Sequence, residues 1–202
     1  MTQIEKLVIA TRNPAKIEYY RHLFTGIVAD ILGLNETEIE GKPTETGDTA
    51  EENAQIKASY YSTRINLPVF CEDEALLVDF LPTDKQPGTH VRRINGKGEA
   101  TDDELFEYWE NIIKNIPEAR RTGRWHIAYC LGLNGKIRTT SMEHEIKFFY
   151  PTSKIRIPGW PMSSLEGSTS LGKPNSERTE EDKRKILLSE APIILKKLKE
   201  LF

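Results

Sequence analysis

The chain has 202 residues, 38% of them hydrophobic, with a formal net charge of −3. That length suits a single domain over residues 1–202, and no apolar run approaches the ~20 residues needed to span a bilayer. The slightly acidic balance excludes broad electrostatic binding to nucleic acid but leaves room for a small phosphorylated ligand, which a few lysines can hold.

The N-terminus, Met1 to Asn13, lacks the basic-then-apolar layout of a signal peptide and reads directly as a first strand, so a cytoplasmic protein is expected. Lys6 to Thr11 forms the apolar run, and Arg12-Asn13-Pro14 turns the chain into a helix with Ile17, Tyr20, Leu23 and Phe24 on one side. A strand, a tight turn and a helix in succession aim backbone N–H groups at whatever lies above the strand end. Thr11, Asn13 and Lys16 add a hydroxyl, an amide and a cation there. Alone, these three are better explained by a surface lysine beside a capping asparagine, and they gain weight only from their pairing with the acidic stretch downstream. Val28 to Leu32 predicts a second strand.

The stretch Glu45 to Leu81 carries the densest chemistry. Thr49 or Asp48 can cap a helix whose first turn holds Glu51 and Glu52, where carboxylates complement the positive end of the helix dipole. Ala54, Ile56, Lys57, Ala58 and Tyr61 continue it, and Asn66-Leu67-Pro68 breaks it. Val69-Phe70-Cys71 is a short buried strand, so Glu72, Asp73 and Glu74 are expected to emerge at its end, beside the acidic helix start. Carboxylates held together repel unless a cation sits between them, and a hard ion such as Mg²⁺ takes oxygen ligands from one or two carboxylates, water and phosphates. Glu52, Glu72 and Asp73 point to that use, whereas Glu51 and Glu74 read equally as solvated surface charges.

Further along, Thr101 to Glu104 is a capping box opening a helix with Leu105, Phe106, Trp109, Ile112 and Ile113 on its apolar side, which makes Trp109 a core residue. Trp125–Leu133 and Lys136–Phe149 predict two strands joined across Asn134-Gly135, a strong hairpin dipeptide. His126 and His144 lack ligand-type spacing, and Cys71 and Cys130 sit in apolar runs as reduced core residues. Glu166 to Arg178, rich in Gly, Ser and Pro, is the expected flexible stretch. Thr179 to Phe202 predicts one amphipathic helix, with apolar contacts from Ile186 to Leu201 and a kink at Pro192. Alternating strands and helices followed by a strand pair predict an α/β fold with a mixed sheet.

Three motifs in order give the chain a specific resemblance to the inosine/xanthosine triphosphate pyrophosphatase, or Ham1-like, family. They are Ala10-Thr11-Arg12-Asn13-Pro14-Ala15-Lys16, the run from Glu45 through Glu52-Asn53-Ala54 to Lys57-Ala58, and Leu67-Pro68 through Glu72-Asp73 to Leu76, Val78 and Leu81. Pro87-Gly88, Arg93, Gly98 and Ala100-Thr101-Asp102 follow the pattern, and the likeness thins in the second half.

The resemblance implies an elongated mixed central sheet with flanking helices and an active-site cleft between two lobes. It implies a Mg²⁺-dependent homodimer that cleaves nucleoside triphosphates carrying a deaminated purine to the monophosphate and pyrophosphate. By the same resemblance Glu52 and Glu72, with Asp73, hold the metal, and Asp73 positions or deprotonates the attacking water. Lys16, Lys57 and Lys183 neutralise phosphate oxygens, and Thr11 and Asn13 fix the triphosphate by hydrogen bonds. Phosphoryl transfer needs positioning and charge neutralisation more than covalent participation, which suits such a set.

The chain departs from the family at the base. Glu74 stands where a small hydroxyl residue follows the catalytic Asp, and Ala75 where a glycine often comes next. The aromatic-Gly-[Trp/Tyr]-Asp-Pro segment is Pro158-Gly159-Trp160-Pro161, without its Asp. The Ser-His-Arg triplet that reads the purine falls at Leu187-Leu188-Ser189. Trp160 can still stack on a base, or equally anchor a loop, so selectivity among bases is expected to be weakened or redirected. A nucleotide-binding module that has lost catalysis is the alternative expectation.

Overall fold

The computed structural model describes residues 4–94 and 98–198, apart from the side chains of residues 187 and 190. β1 (Ile4–Ile9) buries Leu7, Val8 and Ile9, and α1 (Pro14–Leu23) follows with Pro14 in its first turn. β2 (Val28–Gly33) leads through a loop to α2 (Ala50–Ser62), then β3 (Val69–Val78). α3 (Asp102–Ile113) precedes β4 (Thr122–Leu133) and β5 (Lys136–Phe148). These two are joined by Asn134 (φ 49°) and Gly135 (φ 75°), both in the left-handed region that a two-residue primed hairpin turn requires. β6 (Glu166–Ser168) and α4 (Glu180–Leu198) complete the chain.

The caps form where the sequence puts them. Thr49 Oγ1 accepts the Glu52 N–H at 3.2 Å, and Glu52 Oε2 accepts the Thr49 N–H at 3.2 Å, a reciprocal capping box. Thr101 and Glu104 do the same for α3, at 3.2 and 2.8 Å. α4 runs through Pro192 to Leu198 as one helix, and the apolar contact expected of Leu201 lies outside the described residues.

The six strands form one mixed sheet in the order β2-β1-β3-β4-β5-β6. β1 pairs in parallel with β2 and with β3, and β5 pairs antiparallel with β6. The edge strand β2 is blunted by Arg21, whose Nη2 donates to the Ile31 carbonyl at 3.2 Å and to Glu36 Oε2 at 3.1 Å.

The chain divides into two compact units, with the boundaries inside β3, β4, β5 and α4. The first comprises residues 1–73, 127–142 and 187–202. Its core is aromatic: the Phe70 ring lies 5.0 Å from Tyr20, 5.4 Å from Phe24 and 5.7 Å from Tyr129, within a cluster that Ile194 and Leu198 join. The second comprises residues 74–126 and 143–186. There Trp109 is 1% exposed and stacks on Phe148 at 6.0 Å, with Leu76, Leu105, Ile113 and Leu165 buried around them. Trp109 is the core residue that the helical spacing predicts.

Two expectations are corrected. Glu72, Asp73 and Glu74 do not sit at a strand end, because β3 continues to Val78. What ends there is the neighbour: β1 pairs with β3 only at Val69 and Phe70, so the carboxylates emerge just past the last β1 partner. Glu166 to Arg178 is not an open flexible stretch either. Glu166, Gly167 and Ser168 form β6 and are buried, and Gly167 is so close to the Lys173 carbonyl that a Cβ would collide with it, at 2.3 Å. The small residues there serve close backbone approach rather than mobility.

Candidate active site

The first unit gathers cations and carboxylates at the end of β1. Ala10 donates its N–H to the Phe70 carbonyl at 2.8 Å, and the chain then turns. Thr11 Oγ1 accepts the Asn13 N–H at 3.2 Å and Asn13 Oδ1 accepts the Ala15 N–H at 3.0 Å, so both side chains shape the turn that opens α1. One turn into the helix, Lys16 reaches across to Glu72 and forms an ion pair between Nζ and Oε1, mostly shielded from solvent. Thr11, Asn13, Lys16, Lys57 and Glu72 line a cavity of about 150 Å³ floored by Ile9, Tyr20 and Phe70.

Lys57 comes from α2. Its Nζ donates to Asp73 Oδ1 at 2.5 Å and to the Glu72 carbonyl at 3.1 Å, and lies 3.4 Å from Glu45 Oε1. Asp73 is 8% exposed, and burial pushes its carboxyl above the ordinary aspartate value. Lys57 opposes that shift by charge and hydrogen bond, Glu45 reinforces it, and a hydrogen bond from Asn53 opposes it again.

Five predicted residues, Thr11, Asn13, Lys16, Lys57 and Glu72, therefore share one cavity wall. Asp73 adjoins it through Lys57 but does not line it. Glu52 does not line it either; its Oε2 is engaged by the N–H groups of Asp48, at 2.7 Å, and Thr49. Among the described residues, no group of three or more His, Cys, Asp or Glu side chains is set to hold a metal ion. The donor chemistry nonetheless fits a hard cation, since Mg²⁺ needs only one or two carboxylates and Glu72 lines the cavity with Asp73 next to it in β3.

Lys183 and Trp160 belong to the second unit. Lys183 is 58% exposed at its side chain and pairs with Glu180 at 2.6 Å. Trp160 is half-buried at the head of a 3₁₀ turn, Pro161–Ser164. The turn before it is held by Asp102, which accepts the Gly159 N–H at 3.3 Å and the Arg92 Nη2 at 2.7 Å. Leu188 is 69% exposed, and the side chain at position 187 lies outside the described residues.

Glu45 and Asn53 were not singled out by sequence reasoning as site residues. Asn53 is 2% exposed and faces inward with Ala50, Ala54, Ala58 and Tyr61. A polar residue on the buried stripe of a helix was the signal that could have found it.

The comparisons with known proteins agree with the motifs. The family model described as the Ham1 family matches residues 7–147. The dITP/XTP pyrophosphatase of Porphyromonas gingivalis is 36% identical over 118 residues, which make up 58% of this chain and 59% of that protein's length. The dITP/XTP pyrophosphatase of Thermoanaerobacter sp. is 29% identical over 208 residues, covering 96% of this chain and 99% of that protein. Among solved structures, the HAM1 protein from Coxiella burnetii aligns with a TM-score of 0.72 and 20% identity over 96% of this chain and 100% of that one, a likeness of fold. The family model spans all three motif stretches and the cavity residues they supply, and on that match the chain belongs to the Ham1 family.

Proposed function

We propose that this protein is a nucleoside-triphosphate pyrophosphatase. It would hydrolyse the bond between the α-phosphate and the bridging oxygen, releasing a nucleoside monophosphate and pyrophosphate. The observation that carries this reading is the shared wall of Lys16, Lys57, Thr11, Asn13 and Glu72, with Asp73 held against Lys57. The relatives named dITP/XTP pyrophosphatase support it.

Each residue has a task in that reaction. Lys16 and Lys57 neutralise phosphate oxygens, exchanging their ion pairs with Glu72 and Asp73 for the substrate. Thr11 and Asn13 orient the phosphates from the turn above β1. Asp73 accepts a proton from the water that attacks the α-phosphorus, and its burial suits it to hold that proton. Glu72, Asp73 and Glu52 would hold Mg²⁺, which when bound lowers the pKa of water and neutralises charge on the phosphates. Lys183 is a further phosphate contact in this reading. A cytoplasmic homodimer is the working form that the family resemblance implies.

Base selectivity is the second part of the proposal. Leu187, Leu188 and Ser189 supply neither the imidazole nor the guanidinium with which the family reads a 6-oxo purine, and Pro161 replaces its aspartate. Trp160 remains for stacking, which accepts any base. Discrimination for inosine and xanthosine is therefore reduced.

The test is pyrophosphate release from ITP with and without Mg²⁺. Mg²⁺-dependent release supports the enzyme. Tight nucleotide binding with no release under any divalent ion would make the protein a binding module instead.

A further inference from the structure

Trp160 stands on a backbone that is pinned on both sides. Its N–H donates to the Ile157 carbonyl at 3.0 Å, closing a turn with Pro158 and Gly159 at its centre. Gly159 has φ 81°, and a proline followed by a residue at that angle is the signature of a type II turn, where glycine is favoured. On the other side, the Trp160 carbonyl accepts the Ser163 N–H at 3.0 Å and the Ser163 hydroxyl at 2.6 Å.

The closing hydrogen bond of this turn does not use the Gly159 N–H. That group belongs to the central peptide, whose orientation separates a type II turn from a type I turn. Asp102 Oδ2 accepts it at 3.3 Å, from 57 positions away in the chain. Asp102 is itself anchored, because Arg92 Nη2 donates to its Oδ1 at 2.7 Å. Arg92 is held in turn: its Nη1 donates to the Ala100 carbonyl at 3.0 Å, and its own carbonyl accepts the Ala100 N–H at 2.8 Å.

Neither capping nor ion pairing accounts for the aim of this carboxylate. Thr101 and Glu104 complete the cap of α3, and a carboxylate pointing anywhere over the first turn would suit the helix dipole. The Arg92 and Asp102 side chains are 38% and 44% exposed, and ion pairs so open to water add little to stability. The specific effect of Asp102 is to hold the peptide next to the half-buried Trp160.

We propose that Asp102 is a positioning residue for the nucleotide base: its carboxylate locks the Gly159 peptide and so keeps the Trp160 indole placed for stacking. This rests on the reading of Trp160 as the stacking residue. A ring already in place pays no ordering cost when the base arrives, so losing the clasp weakens binding of the base and not of the phosphates.

The test compares Kd for α,β-methylene ITP with Kd for tripolyphosphate, which has no base, in the wild type, Asp102→Ala, Asp102→Asn and Trp160→Ala. These are binding measurements, so they stand whether or not the protein releases pyrophosphate. Asp102→Ala should weaken the nucleotide about tenfold, part of what a stacked base contributes. Its tripolyphosphate Kd and thermal midpoint should stay near those of the wild type. Asp102→Asn keeps an oxygen for the Gly159 N–H and should recover most of the loss, which a role through charge on Arg92 would not allow. If Asp102→Ala does not fold, Arg92→Gln releases Asp102 without altering α3 and carries the same expectation of a loss confined to the nucleotide. A nucleotide Kd within about twofold of the wild type in folded Asp102→Ala, or equal losses for both ligands, would overturn the proposal. With Trp160→Ala weakening the nucleotide, that result removes the clasp alone. Trp160→Ala without effect removes the stacking reading and the proposal with it.

Discussion

Lys57 Nζ lies 2.5 Å from Asp73 Oδ1, with side-chain exposures of 17% and 10%. A pair this shielded is unequal under mutation, because removing one partner leaves the other charge poorly compensated in a low-dielectric place. Lys57→Met should cost about 3 kcal/mol of unfolding free energy at neutral pH, and adding Asp73→Asn should recover much of it. A double-mutant cycle by urea denaturation checks this. Additive single effects would show that the two side chains are not energetically coupled.

Asp73→Asn should separate chemistry from binding. The amide keeps the shape but cannot take a proton from water, so pyrophosphate release should fall by roughly 10²–10⁴, the usual worth of a general base. Affinity for a non-hydrolysable triphosphate should change little. Turnover within tenfold of the wild type would assign the proton to another group.

Lys16 contacts Glu72 in the resting protein and lines the cavity. Lys16→Ala should weaken triphosphate binding by about 1.5–3 kcal/mol, the range of a charge-assisted hydrogen bond, while leaving nucleoside binding unchanged. Calorimetric titration with matched nucleoside and triphosphate measures the difference. Equal losses for both ligands would return Lys16 to a structural role.

Base choice is tested by a panel of ITP, XTP, dITP, ATP, GTP and pyrimidine triphosphates. A pocket built to hydrogen-bond a polar edge rejects analogues lacking it by as much as ~10⁴–10⁵. With Leu187, Leu188, Ser189 and Pro161 in place of the reading groups, kcat/KM values across the panel should lie much closer together. A preference of about a hundredfold or more for ITP and XTP would show that other residues read the 6-oxo group.

Glu166 supplies a pH test away from the site. It is 6% exposed, and burial raises its pKa from 4.5 to about 7. Arg178 lowers it, as do hydrogen bonds from Trp125 and Asn175, while Glu74 raises it. Between those values the folded state keeps a proton that the unfolded chain releases, so stability falls as pH rises from 4.5 to about 7 and then levels off. The contribution is about 3 kcal/mol. Protonation also makes Oε2 a donor, and both Glu166 Oε2 and Asn175 Oδ1 are buried without a hydrogen-bond partner. Glu166→Gln should flatten the pH dependence of urea midpoints across that window. An unchanged slope in the variant would place the titration elsewhere.

Local chemistry was legible in the sequence because it is written in neighbouring residues. The capping boxes at Thr49–Glu52 and Thr101–Glu104, the Asn134-Gly135 hairpin and the apolar side of α3 follow from steric and hydrogen-bonding rules that act within a few positions. The family motifs extended this to Lys16, Lys57, Glu72 and Asp73. Only the tertiary structure decided which carboxylate meets which lysine, since Lys16–Glu72 and Lys57–Asp73 join residues 56 and 16 positions apart. It decided that β3 runs past its carboxylates, because strand length depends on the partners alongside. It placed Glu166 in a buried strand, where composition had suggested a loop, because Gly167 lets the backbone of Lys173 approach. And it brought the Gly47 N–H to the buried Asn53 Oδ1, 2.8 Å away, a contact between loop and helix that exists only once α2 is packed.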